Sequence, residues 1–228
     1  MLPDSVHDLT VTGRQSDREL TIHPVAVDTP TGLVLVDTAL PGQTDELADA
    51  LAAVGRGFDD VAGVFLTHQD GDHAGCLADV RERVTAARGT EPTVYAHVAD
   101  APYVDGRAEP IKSDGDRYPP AAVDVEVVDG VVFRTDAGPM RVIETPGHTP
   151  GHVSLYLPDE HLLLAGDALT TDDDGLAGPA EAFTPETETA AESVAALSEL
   201  TFDTVHCFHG GSVAATAVDA ADVADELQ

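Results

Sequence analysis

The sequence has no tryptophan, a single lysine, two cysteines and 4% aromatic residues. With so few aromatic rings, a core has to be assembled from Val, Leu, Ala and Ile. Cys76 and Cys207 stand far apart, in no spacing that makes a zinc knuckle or a redox pair, so both read as reduced thiols. No apolar run approaches the length of a membrane span, and the N-terminus lacks a basic segment followed by an apolar one. These absences point to a cytoplasmic protein with no membrane partner. Basic residues are the scarcest class that matters: 11 Lys and Arg face 42 Asp and Glu, a formal net charge of −31. Such a balance excludes nucleic acid, whose phosphates need basic contacts, and it equally disfavours an anionic membrane surface. The acid is spread along the whole chain. Self-repulsion on that scale opposes compaction at low salt, whereas at about 1 M salt the screening length falls to about 3 Å. The composition therefore reads as adaptation to a salt-rich cytoplasm, as in extreme halophiles, ahead of a merely acidic mesophilic protein. What is present is 228 residues that are 43% hydrophobic, enough for one domain spanning residues 1–228.

Hydrophobic patterning gives a mixed α/β chain. Strands are expected at Leu20–Val27 and Leu33–Val36, around a turn at Asp28–Gly32. A helix follows over Thr44–Val54 with Thr44 as N-cap, and then a strand over Val61–Leu66 that is apolar throughout, as strands buried on both faces are. A helix over Gly75–Ala87 and a strand at Thr93–Ala96 come next. The stretch from Asp100 to Ala122, rich in Pro, Gly and charge, reads as a long loop. In the second half, strands are expected at Val123–Val128, Val131–Arg134 and Met140–Glu144. A hairpin follows over Val153–Leu164, then a helix over Pro185–Leu200 capped by Thr184, a strand at Thr204–Cys207 and a closing helix over Val213–Leu227. Gly32–Leu40 and His161–Leu169 echo each other, each an apolar strand ending in Asp before Ala-Leu. This echo suggests two similar halves.

Four polar clusters sit where apolar strands end. The densest is Thr67-His68-Gln69-Asp70-Gly71-Asp72-His73, which sets two imidazoles and two carboxylates in six residues. The others are Thr145-Pro-Gly-His148-Thr-Pro-Gly-His152, Gly166-Asp167 and Phe208-His209-Gly-Gly211. Imidazole nitrogen and carboxylate oxygen are the ligands of Zn, Fe and Mn, and a short loop at a strand end can aim several of them at one point. Taken singly, each cluster is ordinary: a lone His after a strand is usually a satisfied polar residue, and Asp-Gly is usually a turn. Four of them at strand ends form a set.

From Val36-Asp37-Thr38 to His209 the set resembles the metallo-β-lactamase superfamily, and Thr-Pro-Gly-His148 with Gly-Asp167 is similar to its glyoxalase II-like branch. The resemblance implies a four-layer αββα sandwich and two divalent metal ions, zinc first, with Fe or Mn as alternatives. It implies His68 and His148 on the first metal, Asp72, His73 and His209 on the second, Asp167 bridging both, and Asp37 supporting the ligands from behind. His152 falls outside the implied ligand set. Where the family motif has a second histidine this chain has Asp70, so the motif reads His-x-Asp-x-Asp-His. Either Asp70 completes the first site, or it faces away and the chain holds one metal. The implied chemistry is hydrolysis of a small thioester, ester or lactone by a metal-bound hydroxide that Asp72 also orients. The other chemistry of this fold is iron-dependent oxidation, of the flavodiiron or persulfide dioxygenase kind. Arg107, Lys112 and Arg117, in the long loop, either meet a carboxylate on a small-molecule substrate or pair with the abundant surface acids.

Overall fold

In the computed structural model, residues 1–15, 18–112, 117–173 and 175–227 are described. Two six-stranded sheets carry the chain. The first takes β1 (Val6–Asp8), β4 (Val25–Thr29), β5 (Gly32–Val36), β6 (Val61–Phe65), β7 (Thr93–His97) and β8 (Val125–Val127), in that spatial order. The second runs β16 (Gly211–Ala214), β15 (Thr204–Cys207), β12 (Leu162–Gly166), β11 (Val153–Leu157), β10 (Gly138–Glu144) and β9 (Val132–Thr135). Two small ribbons are added, β2 (Val11–Gln15) with β3 (Arg18–Ile22) and β13 (Thr170–Asp172) with β14 (Gly175–Ala177).

Alternation along the strands sorts their side chains into three apolar layers, because successive residues point to opposite faces. In β5, Val34 and Val36 face the second sheet, while Leu33 and Leu35 face helices α1 (Thr44–Ala53) and α3 (Leu77–Arg88). In β12, Leu162 and Leu164 face the first sheet, while Leu163 and Ala165 face helices α5 (Thr187–Leu197) and α6 (Ala217–Glu226). The layers are thus helix, sheet, sheet, helix, as expected. Phe65, Phe133 and Tyr95 make two edge-to-face ring contacts in the layer between the sheets.

The echo between the halves has a topological meaning. β5 feeds α1 and returns parallel in β6; β12 feeds α5 and returns parallel in β15. Each repeated strand thus opens a crossover unit and carries its aspartate at its C-terminal end.

Several local expectations are corrected. Leu20–Val27 is two strands broken at His23-Pro24, since proline cannot donate to a ladder. Thr44 is the first helical residue rather than the cap; Gln43 occupies that place without a side-chain cap bond. Thr184 does not cap α5, which starts at Thr187, and its hydroxyl is used elsewhere. The closing segment is strand β16 followed by α6, whose Thr216 and Asp219 form a reciprocal capping box. The stretch expected as a loop contains the short helix α4 (Ala101–Val104) and the buried Tyr118, while its residues 113–116 lie outside the described residues.

Candidate metal centre

All seven residues singled out from the sequence converge at the C-terminal ends of strands from both sheets. His68 follows β6. Asp70 precedes, and Asp72 and His73 lie within, the one-turn helix α2 (Gly71–Ala74). His148 lies between β10 and β11, Asp167 directly follows β12, and His209 follows β15. Three overlapping groups gather ligand atoms within 4.8 Å of one another: His68, Asp70 and His148; His68, His73 and Asp167; Asp72, His73 and His209. The first and third of these are called here the first and second positions.

Hydrogen bonding behind the ligands sets which ring nitrogen faces inward. Asp37 is buried and holds the left-handed conformation at φ 62°, uncommon for a residue other than glycine. Its Oδ1 accepts the Thr67 backbone N–H at 2.8 Å, and its Oδ2 accepts the Thr67 hydroxyl at 2.7 Å and His73 Nδ1–H at 2.9 Å. Having given its proton to Asp37, the Thr67 hydroxyl accepts from His68 Nδ1 at 3.1 Å. Both rings therefore turn Nε2 toward the site. His152 does the opposite: its Nε2 accepts the Asp167 backbone N–H at 2.9 Å, so it positions Asp167 and has no lone pair left to bind a metal. Gly166, at φ 57°, makes room for this, since a Cβ there would stand 2.8 Å from His152 Nε2.

Among the described residues, three buried atoms of this centre lack any hydrogen-bond partner: His68 Nε2, His73 Nε2 and Asp167 Oδ1. His73 Nε2 and Asp167 Oδ1 lie 3.2 Å apart but off the line of a hydrogen bond. Each such atom costs roughly 1–3 kcal/mol when left unsatisfied. A cation between them satisfies all three, so the donor set fits a divalent metal ion. On the other side, His209 Nε2 lies 3.2 Å from Asp72 Oδ2 and 3.4 Å from Asp167 Oδ2.

The electrostatics carry the same signature. Burial disfavours the charged form of Asp167, yet His73 and His209 hold its carboxyl well below the usual range. Burial likewise opposes the charge on Asp72, and His73 and His209 again lower it. In return, against their own burial, His73 is raised well above an ordinary imidazole by Asp167, Asp37 and Asp72, and His209 is pushed up to about 9 by Asp167 and Asp72. Where no metal is bound, protons on these rings balance the carboxylates.

Asp70 faces inward. Although it stands at the N-cap of α2, it makes no cap bond; its Oδ2 lies 3.0 Å from His148 Nε2 and 3.5 Å from His68 Nε2. Burial opposes its charge, but His68, His148 and Lys112 hold its carboxyl far below the usual range. Lys112, expected to meet either a substrate carboxylate or a surface acid, pairs instead with a mostly buried acid of the centre itself. Its Nζ donates to Asp70 Oδ2 at 2.6 Å and lies 2.8 Å from His148 Nε2. Its two companions go elsewhere: Arg107 pairs with Asp105 and Glu126 at the surface, and Arg117 donates to the Ala108 and Tyr103 carbonyls. Asp100 was missed. Buried, it accepts Gln69 N–H at 3.0 Å, the Thr149 hydroxyl at 2.7 Å and Gly151 N–H at 2.8 Å, so it clamps the His68 loop to the His148 loop. Gln69 Oε1 in turn accepts Ile111 N–H at 3.0 Å, which brings Lys112 to the centre.

The centre opens on a cleft of about 540 Å³ lined by Leu20, Leu40, Pro41, Tyr118 and Phe183 beside the polar residues. No helix among the described residues is long and apolar enough to cross a membrane.

Comparison with known proteins agrees with this geometry. The chain is 30% identical over 216 residues to a probable metallo-hydrolase, YflN, of Bacillus subtilis, covering 79% of this chain and 76% of that one. It is 33% identical over 144 residues to a hydroxyacylglutathione hydrolase of Cereibacter sphaeroides, covering 63% of this chain but only 46% of the relative. A metallo-beta-lactamase family protein of Thermus thermophilus, TTHA1429, superposes with a TM-score of 0.73 at 25% identity, over all of this chain and 79% of that one. The family model of the metallo-beta-lactamase superfamily matches residues 19–209, a span that holds every ligand candidate, and the chain therefore belongs to that superfamily.

Proposed function

We propose that this chain is a metal-dependent hydrolase acting on a small thioester, ester or lactone. The observation that carries the reading is the trio of buried, unsatisfied atoms on His68, His73 and Asp167 at the floor of an open cleft. The second position, Asp72, His73 and His209 with Asp167, would hold the ion, which satisfies two of the three atoms directly and leaves His68 Nε2 facing it from the first position. A bound divalent ion supplies Lewis acidity and brings the pKa of a coordinated water toward about 7. The protein's own groups do the rest. Asp37 keeps His73 in the tautomer that leaves Nε2 free. Asp72 and Asp167 stay ionised and balance the charge. Asp72 is partly exposed to the cleft, where its carboxylate would accept a hydrogen bond from a water bound there and orient it. Leu20, Leu40, Pro41 and Phe183 give the cleft an apolar wall that suits an acyl chain or ring rather than a phosphate. Among bond types, a thioester comes first, because relatives named as hydroxyacylglutathione hydrolases are 33% identical over 144 and 134 residues.

The test is steady-state hydrolysis of panels of S-acyl thioesters, aryl esters and lactones, run in high salt with the metal-loaded protein, with the chelated protein and with Asp167→Ala. Turnover on one panel, abolished by chelation and in Asp167→Ala, is the expected result. Full turnover after chelation or in Asp167→Ala refutes the reading, as does inertness on all three panels by a protein that holds metal. Iron-dependent oxygen consumption by such a protein transfers it to oxidative chemistry.

A further inference from the structure

The two positions differ in one respect: among the described residues a lysine ammonium, that of Lys112, touches two members of the first, whereas Asp72 of the second has only the imidazoles of His73 and His209 as ion-pair partners. Lys112 Nζ contacts Asp70 Oδ2 at 2.6 Å and His148 Nε2 at 2.8 Å, and those two acceptors stand 3.0 Å apart. The direction of the hydrogen bonds follows from the far side of the ring. The Thr184 hydroxyl donates to the Ala180 carbonyl at 2.9 Å, so at 3.2 Å it accepts from His148 Nδ1–H. His148 Nε2 is then a lone pair directed at a carboxylate oxygen. Two acceptors so close repel unless a cation touches both, and the Lys112 ammonium does. Hydrogen bonding agrees for the two groups that Lys112 touches: Asp70 and His148 have no unsatisfied atom, whereas His68 Nε2, which Lys112 does not reach, has no partner, like His73 Nε2 and Asp167 Oδ1.

Asp70 and Lys112 complement each other. A histidine at position 70 would offer a neutral nitrogen, which suits a metal ion. A carboxylate offers the ammonium a charge-assisted bond. The ammonium offsets the charge of Asp70, the one carboxylate of the first position. The amine reaches the site from a loop that the Ile111–Gln69 hydrogen bond ties to the metal motif, and it lines the same cleft.

We propose that Lys112 is the built-in cation of the first position, standing where a second metal ion would bind, so that the chain carries one metal, at Asp72, His73, His209 and Asp167. This rests on the metallo-hydrolase reading and refines it. The ammonium becomes the second positive charge of the centre, facing the cleft where a substrate carbonyl oxygen would gain negative charge.

The experiment is titration of cobalt(II) into the metal-free full-length protein, followed by visible absorbance, with bound metal counted by mass spectrometry after desalting. Wild type, Lys112→Met and Lys112→Arg are compared, each checked for native circular dichroism. Wild type and Lys112→Arg are expected to saturate at one ion per chain, and Lys112→Met at two, because removing the ammonium frees Asp70 and His148 to join the already free Nε2 of His68. Saturation of wild type at two ions, of Lys112→Met at one, or of Lys112→Arg at two overturns the role of Lys112 and leaves the hydrolase reading standing. No uptake by wild type overturns both.

Discussion

Asp37 touches no substrate and no metal position, yet its replacement by asparagine is expected to cripple metal binding. The two side chains have the same shape, and asparagine tolerates the left-handed backbone found here. The difference is that one carboxylate oxygen becomes an amino group. If that group takes the place of Oδ1, it faces the Thr67 backbone N–H, which cannot turn away, and a buried donor is left unsatisfied at about 1–3 kcal/mol. If it takes the place of Oδ2, it faces the Thr67 hydroxyl and His73 Nδ1. The hydroxyl then reverses and donates to His68 Nδ1, and His73 Nδ1 becomes an acceptor. Both rings move their proton to Nε2, the atom that a metal needs. Loss of such support behind a ligand typically lowers metal affinity about 10–100-fold, which is about 1.4–2.7 kcal/mol. The assay is competition with a chromophoric chelator, paired with urea unfolding of the metal-free protein. Asp37→Asn is expected to show both the weaker affinity and a lower unfolding free energy. Wild-type affinity in a folded Asp37→Asn protein would refute the tautomer argument.

Four further outcomes are expected. His209 sits near 9 in the metal-free protein, so below that pH its ring carries a proton that a metal must displace. Apparent metal affinity should rise with pH toward 9, by up to about tenfold per unit for each proton displaced, and calorimetry in buffers of different ionisation enthalpy should show proton release; a flat profile between pH 6 and 9 contradicts this. The −31 charge should make the unfolding midpoint climb steeply as potassium chloride is raised from about 0.1 M to about 1 M, where the screening length shrinks from about 10 Å to about 3 Å, and a salt-independent midpoint counts against the halophilic reading. Gly166→Ala should cost at least about 1 kcal/mol from its left-handed backbone alone, and more from the contact with His152, seen as a lower urea midpoint. Asp100→Ala should release both clamped loops and leave Gln69 and Gly151 N–H groups unsatisfied, costing about 3 kcal/mol and weakening metal binding; unchanged hydrogen exchange in residues 67–73 would refute the clamp.

The candidate metal centre was legible because three of its polar clusters follow the apolar strands β6, β12 and β15, and the fourth, at His148, is marked by its Pro-Gly loop. The pattern at β6, β12 and β15 marks both the strand and the place where it stops, and the strand ends meet because the sheets stack. Asp37 could be read in the same way from the echo between β5 and β12. What stayed hidden depends on paths through irregular backbone. Lys112 comes from a segment with no periodicity, and only the contacts of Gln69 with Ile111 and Tyr118 show where that segment goes. Asp100 has the sequence context of any loop acid, and its role lies in donors that come from two distant loops. Thr184 had the right residue type for a helix cap, but tertiary structure drew its hydroxyl to His148. Proline at position 24 signalled the break between β3 and β4, yet the apolar run around it masked the signal.

The candidate ligands also come from both halves of the chain. His68, Asp70, Asp72 and His73 hang from the first sheet, and His148, Asp167 and His209 from the second. An ion held between them works as a rivet through the rim of two stacked plates. Its ligands span residues 72 to 209, so it joins segments whose encounter in the unfolded chain requires closing a very long loop. Metal affinity thereby becomes mechanical coherence: at a free ion concentration about a hundred times the dissociation constant the seam gains about 2.7 kcal/mol. Stripping the ion should open the sandwich first along the edge where the chemistry takes place.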